Sequence, residues 1–321
     1  MRYILIVLKI AIAAGLLYWL FASGRLDLSL LTEAPFGWLA LAGLVSVVAN
    51  LFCSGLRWHR LLGMHVEGLR YFQVLRWNWI GEFFSLIAPG ASGAELARGY
   101  YAFRNAPDKR WAAISTILID RVLGLWSLLV FSTLSFLGLM AGGESASPEV
   151  TAIGQLSALA CLGLTAGILG LFWAPLRRLA VLLVPRRLKP VMQEIVGVFG
   201  FCKSSIVISA GIALAGQLFL LAPFYLSGLA LGTEISPTSV MLCVPLIFVS
   251  LALPISPGGI GVGEAAAAFL FAQFGIAQGA AIMLQVRLWT ACIQLFGGPI
   301  YLFHRDRQPM DGPEEDKVIV R

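Results

Sequence analysis

The sequence predicts an all-α polytopic membrane protein: an inverted-topology repeat with about six full spans plus two re-entrant or broken helical hairpins. Three observations predict it. Of 321 residues, 59% are hydrophobic and 12% charged, where a soluble domain carries about 25% charge. Uncharged runs recur at Ile10–Gly24, Ala34–Leu56, Val122–Gly143, Val150–Leu176, Ser204–Thr233, Ile235–Gly263, Ala265–Val286 and Leu288–Phe303, several exceeding the ~20 residues that cross a bilayer core. Finally, one Pro-Gly phrase occurs twice, at corresponding places in the chain.

Charge position sets the topology. Four basic residues lie between Arg57 and Arg76, four between Arg98 and Arg110, and six between Leu176 and Ser204. The intervening segments 22–35, 141–149, 232–237 and 275–279 hold one Arg, acids or no charge. Basic loops stay cytoplasmic, and this pattern accounts for the net charge of +6 without nucleic acid. Arg2 and Lys9 precede the first apolar run, but no small-x-small cleavage site closes it, so a retained first span near 3–22 is expected. The chain returns through 36–56. Trp77–Ala88 is then an apolar leg of only twelve residues, about 18 Å as a helix against a core of ~30 Å. Basic loops flank it on both sides, so 77–97 reads as a hairpin entering and leaving on the cytoplasmic side. Spans at 111–139, 150–174, 204–231 and 280–303 follow, with a second hairpin at 238–275, and both termini fall in the cytoplasm. Residues 1–305 form one domain, with repeats at about 36–140 and 204–303, and 306–321 a polar tail. Trp58 and Trp77 flank the first basic loop as interfacial aromatics do. The segment 176–203 reads as a basic loop or a stretch lying flat on the leaflet.

The repeat is the informative feature. Pro89, Gly90 and Gly93 recur as Pro257, Gly258 and Gly261 at an offset of 168; Glu95 recurs as Glu264 at 169, and Arg121 as Arg287 at 166. Ser54–Leu56 is echoed at Ser227–Leu229. Inverted repeats place transporter sites near the bilayer midplane, on broken helices whose exposed amides and dipoles attract anions. Gly259 belongs to the second break. Glycines at helix contacts are the competing explanation, because small residues let membrane helices approach closely.

Glu82, Glu95, Arg98, Asp120, Arg121, Glu264 and Arg287 all fall at membrane depth, where an Arg costs roughly 2.5–3.5 kcal/mol on insertion scales. Glu82, Arg98 and Asp120 lie near a boundary or beside another charge and read as structural, although Arg98 is carried in the candidate set. Arg121 and Arg287 offer planar guanidinium forks suited to phosphate, with Glu95 and Glu264 as their partners. The substrate-binding candidates are therefore Pro89, Gly90, Gly93, Glu95, Arg98, Arg121, Pro257, Gly258, Gly259, Gly261, Glu264 and Arg287. Five scattered cysteines and three histidines form no disulfide or metal pattern; no metal, cofactor or catalytic residue is expected, and no Ser/His/Asp or Cys/His constellation stands out.

"SGLRWHRLL", "APGASGAELARGY", "IDRVLGL" and "PISPGGIGVGEAA", in this order, resemble the lysylphosphatidylglycerol synthase transmembrane, flippase-like family of bacterial inner-membrane proteins. The resemblance spans most of residues 1–305, and the PGGIGVGE phrase is its most specific part. It implies a bacterial inner-membrane lipid flippase. Since the sequence ends at 321, the expectation is a stand-alone member without the synthase domain, not an enzyme. Its partner would be a phospholipid or lipid-linked substrate; self-association is left open. A small-anion or proton-coupled transporter would use the same dipoles and glutamates. A membrane glycosyltransferase or lipid-modifying protein is the third alternative, disfavoured by short outside loops.

Overall fold

Apolar residues with few breakers dictate long helices, and the described chain is built of helices joined by short turns. The computed structural model describes residues 18, 37–87, 92–105, 109–142, 147–252, 256 and 259–303. The helices are α1 (Trp38–Leu62), α2 (Tyr71–Ile87), α3 (Ser92–Asn105), α4 (Arg110–Ala141), α5 (Pro148–Leu171), α6 (Ala174–Leu183), α7 (Lys189–Phe201), α8 (Lys203–Ala230), α9 (Pro237–Ala252), α10 (Val262–Ala272), α11 (Gly279–Leu295) and α12 (Gly297–Phe303). Among the described residues, five stretches are long and apolar enough to cross a membrane: Trp38–Leu62, Trp111–Ala141, Pro148–Leu171, Lys203–Ala230 and Gly279–Phe303. The expected first span at 3–22 lies outside the described residues, as does the tail.

The packing of the two halves corresponds throughout. α1 lies along its counterpart α8, and the other contacts among α1–α4 and α8–α11 have partners when the halves are exchanged, whereas those of α7 have none. The hairpin α2–α3 matches α9–α10; α1 packs on α11 as α8 packs on α4; α2 packs on α11 as α9 packs on α4. A two-fold relation between the repeats requires this pattern. The α1–α8 seam is close: Asn50 Nδ2 donates to the Gly216 carbonyl at 2.9 Å. α8 and α9 carry Pro223 and Pro245 inside the helix, where a missing N–H invites a bend.

Four expectations are corrected. The first hairpin leg starts at Tyr71 rather than Trp77, giving 17 residues, about 25 Å long; Gln73, Arg76 and Asn78 are all tolerated in a helix, and Arg76 Nε bonds back to the Phe72 carbonyl at 3.2 Å. Of the two readings of 176–203 the plain loop is overturned: the segment forms the helices α6 and α7 around a 3₁₀ turn at Arg186–Leu188. Arg57 is not a loop residue: α1 continues to Leu62, beyond the end of its uncharged run at Leu56. And Trp58 and Trp77 are not interfacial. They are 0% and 3% exposed, meet edge-to-face at 6.3 Å, and Trp77 stacks on Tyr101 at 5.7 Å. Their apolar area covers the core of the first half, with Leu62, Val74 and Ile80.

Candidate functional site: paired arginines and glutamates in the two halves

A carboxylate or guanidinium inside an apolar bundle must find an opposite charge, and the two motif glutamates each find the arginine of their own half. Arg121 on α4 pairs with Glu95 on α3. Arg287 on α11 pairs with Glu264 on α10, Nε to Oε1 at 2.6 Å and Nη2 to Oε2 at 3.4 Å. The matched spacing in the sequence thus becomes a matched ion pair in space.

Backbone geometry holds the second pair. Gly261 sits at φ +82°, ahead of the first turn of α10, and its N–H donates to Glu264 Oε2 at 2.7 Å. Gly259 also has positive φ, at +70°, and its carbonyl accepts from Arg287 Nη2 at 3.1 Å. L-residues avoid this region, so a glycine break here orients both the carboxylate and the guanidinium. In the first half, Gly93 acts differently. A Cβ there would run into the Phe84 carbonyl, with Phe84 C at 2.6 Å and Ser85 Cα at 2.7 Å. Gly93 thus allows close packing of α3 on α2, as the small-residue explanation expects. Pro89, Gly90, Pro257 and Gly258 lie outside the described residues. Gly261→Val should therefore abolish function by displacing Glu264, whereas Gly93→Val should also separate α2 from α3; thermal unfolding of the purified variants distinguishes them, Gly93→Val melting lower. Equal melting of the two would overturn the distinction.

The pairs differ in exposure. Glu264 is 0% and Arg287 21% exposed, whereas Glu95 is 26% and Arg121 49% exposed. Arg121 stands eleven residues into α4, roughly 16 Å along the helix. A half-open guanidinium at that depth requires a polar or head-group environment.

Arg98 joins a second cluster. Asp120, 2% exposed, accepts from Arg57 Nε at 2.5 Å and from Arg98 Nη1 at 3.1 Å. Arg98 also bonds Asn78 Oδ1 and, at 3.2 Å, Ser54 Oγ; its guanidinium lies 5.4 Å from the Trp58 ring centre. Glu82 Oε1 is 3.9 Å from Arg98. This ties α1, α2, α3 and α4 together, and it agrees with a structural reading of Asp120 and Arg98. Arg57, Asn78 and Ser54 were missed by sequence reasoning; the signal available was that Ser54 belongs to the repeated Ser-Gly-Leu.

No packed interface joins α3 to α10 among the described helices. The halves meet along the α1–α8 seam and where α4 and α11 pack on the opposite half, and α2 and α11 add polar contacts. Trp79 Nε1 donates to the Ile293 carbonyl at 2.8 Å, and Gln294 Nε2 to Glu82 Oε2 at 3.1 Å and Ser85 Oγ at 3.3 Å. A small cavity of about 80 Å³ lies at this junction, bordered by Asn50, Ser54, Glu82, Thr290 and Gln294, side chains that suit water. Outside the spans, burial pushes the His65 imidazole below its ordinary range, partly offset by Glu194 at 4.0 Å.

The family model of the lysylphosphatidylglycerol synthase TM region matches residues 6–298. A UPF0104 membrane protein of Pyrococcus horikoshii is 25% identical over 138 residues, 42% of this chain and 40% of that protein, so the chain covers less than half of that relative's length. No solved structure matches the chain. With its match covering nearly the whole chain, this multi-pass helical membrane protein belongs to the lysylphosphatidylglycerol synthase transmembrane-region family.

Proposed function

We propose that the protein is a lipid flippase of the bacterial inner membrane that moves an anionic, phosphate-bearing head group, without being an enzyme. The observation that carries the reading is Arg121: a guanidinium paired with Glu95 yet 49% exposed, well inside its span. A lipid phosphate arriving there meets a planar fork while its chains remain in hydrocarbon. Arg287 supplies the corresponding contact in the second half, backed by the amide of Gly261 through Glu264. The polar junction around Glu82 and Gln294 then links the two half-sites. Pro89, Gly90, Pro257 and Gly258 belong to the same breaks by their place in the motif.

The test is a vesicle assay that follows fluorescent phosphatidylglycerol from one leaflet to the other. Arg121→Ala and Arg287→Ala should each stop the movement. Wild-type rates in both would refute the phosphate sites. Movement of a soluble anion but not of the lipid would favour the small-anion transporter.

The orientation follows from the basic segments: termini and α6–α7 on the cytoplasmic side. With native cysteines removed, Glu234→Cys should react with an impermeant thiol reagent in intact cells, and Arg187→Cys only after the membrane is opened. Both positions are exposed. The reverse pattern would sink the proposed topology.

A further inference from the structure

The apolar helices α4, α5, α6 and α7 do not close fully upon one another. They leave a cleft of about 470 Å³, whose lining includes Leu118 and Val122 on α4, Gly163 and Gly167 on α5, Ala180 on α6 and Met192 on α7. Every lining side chain is apolar or glycine, and the volume falls in the ~300–1,000 Å³ range of ligand sites. Glycine keeps it open: Gly163 and Gly167 stand one turn apart, and a Cβ at either would meet nothing within 4 Å. Leu118 and Val122 are 45% and 40% exposed, so the cleft opens sideways along a spanning helix, where hydrocarbon surrounds the protein.

One end of the cleft is basic. Arg177 Nη1 lies 3.5 Å from the carbonyls of Leu171, Phe172 and Phe199, and Leu171 and Phe199 are themselves part of the lining. A guanidinium therefore sits at the rim in the first turn of α6, with the exposed Arg178 next in sequence and the exposed Arg186 and Arg187 in the turn that follows this helix. An apolar slot open to the bilayer with cations at its polar end matches the two parts of one molecule, an acyl chain and an anionic head group.

We propose that this cleft holds an acyl chain of an anionic phospholipid whose head group rests on the basic segment beginning at Arg177. None of the paired arginines and glutamates lines it, although Arg121 adjoins the lining Val122 on α4. It binds a resident lipid of the basic-side leaflet rather than the molecule in transit, and it goes beyond the translocation reading because its test measures occupancy, not movement.

The protein is reconstituted into phosphatidylcholine vesicles containing a minor fraction of phosphatidylglycerol that carries a diazirine at the end of one chain. After irradiation, labelled peptides are mapped. Label is expected on cleft residues of α4, α5 or α7. The double variant Gly163→Leu/Gly167→Leu fills the slot and should lose that label while keeping label elsewhere. Its fold should hold, since the added Cβ meets nothing within 4 Å and leucine favours helix over glycine; its melting temperature checks this. On the wild-type protein, independently of any variant, the same diazirine chain on phosphatidylcholine should label the cleft less. Arg178→Gln/Arg186→Gln/Arg187→Gln should erase that difference. Absence of label in the cleft, undiminished label in the folded leucine variant, or equal labelling by the two head groups each overturns the proposal. A cross-link between cysteines at Gly167 and within residues 3–22, with the cleft unlabelled, would make the chain's own first segment the occupant and overturn it too.

Discussion

Arg287→Ala should abolish lipid movement and weaken the fold by about 3–5 kcal/mol, the cost of leaving one partner of a buried pair alone. Its partner Glu264 has no exposure, and after the change would keep, among the described residues, the Gly261 amide at 2.7 Å. Adding Glu264→Gln to Arg287→Ala should recover much of the stability while movement stays absent. That separation distinguishes a phosphate site from a structural strut, and thermal unfolding beside the vesicle assay reads it. Recovery of movement in the double variant would end the phosphate hypothesis at Arg287. The single Glu264→Gln adds a second test: loss of pH dependence with movement retained makes the glutamate a proton carrier, whereas a lower rate with the same pH profile makes it a positioning residue.

The second large effect is expected one residue before Arg121. Asp120→Asn removes the charge that two guanidiniums, Arg57 and Arg98, share in the core, and should again cost about 3–5 kcal/mol. Arg121→Ala next to it should cost far less stability, since Arg121 is half exposed, yet should remove all movement. Neighbours in sequence thus have opposite phenotypes. The repeat also suggests a rescue. At the corresponding offsets, Arg57, Arg98 and Asp120 become Ala230, Ala267 and Val286, all buried and apolar. A variant carrying Arg57→Met, Arg98→Met and Asp120→Val should melt above Asp120→Asn, because a buried ionic triad replaced by apolar groups of similar size is often neutral or better. If the triple variant melts lower than the single one, the cluster does more than neutralise itself.

Helices, broken hairpins and the two arginine–glutamate pairs were legible because each rests on a local or repeated pattern: uncharged runs, Pro-Gly punctuation, and offsets of 166 to 169. The Arg57–Asp120–Arg98 cluster was not. Arg57 follows an apolar run and precedes His59 and Arg60, which reads as the start of a loop. Only the continuation of α1 to Leu62, and the packing of α4 against it, show that its side chain turns inward. Trp58 and Trp77 misled for the same reason, since a tryptophan beside a basic residue looks alike in sequence whether it faces lipid head groups or core. The helices α6 and α7 were obscured by six basic residues, because a charge run does not reveal whether its backbone is ordered. Gly93 and Gly261 match in sequence, yet one serves close packing and the other a positive φ. Sequence spacing cannot separate those roles.

The ionic cluster present in one half and replaced by alanine and valine in the other has a dynamic consequence. Two halves that follow the same path but differ in internal cross-linking do not loosen equally. The first is fastened by charge across four helices; among the described residues the second has the Arg287–Glu264 pair, the Gly261 turn and the Ser227–Gln285 hydrogen bond instead, so thermal opening should begin there. Hydrogen exchange should accordingly be faster in α10 than in α3. If the protein is the carrier proposed above, it would rest unevenly between its two orientations even with identical solutions on both sides. Such unevenness cannot drive uphill movement by itself, but it sets which face of the membrane the empty protein waits at.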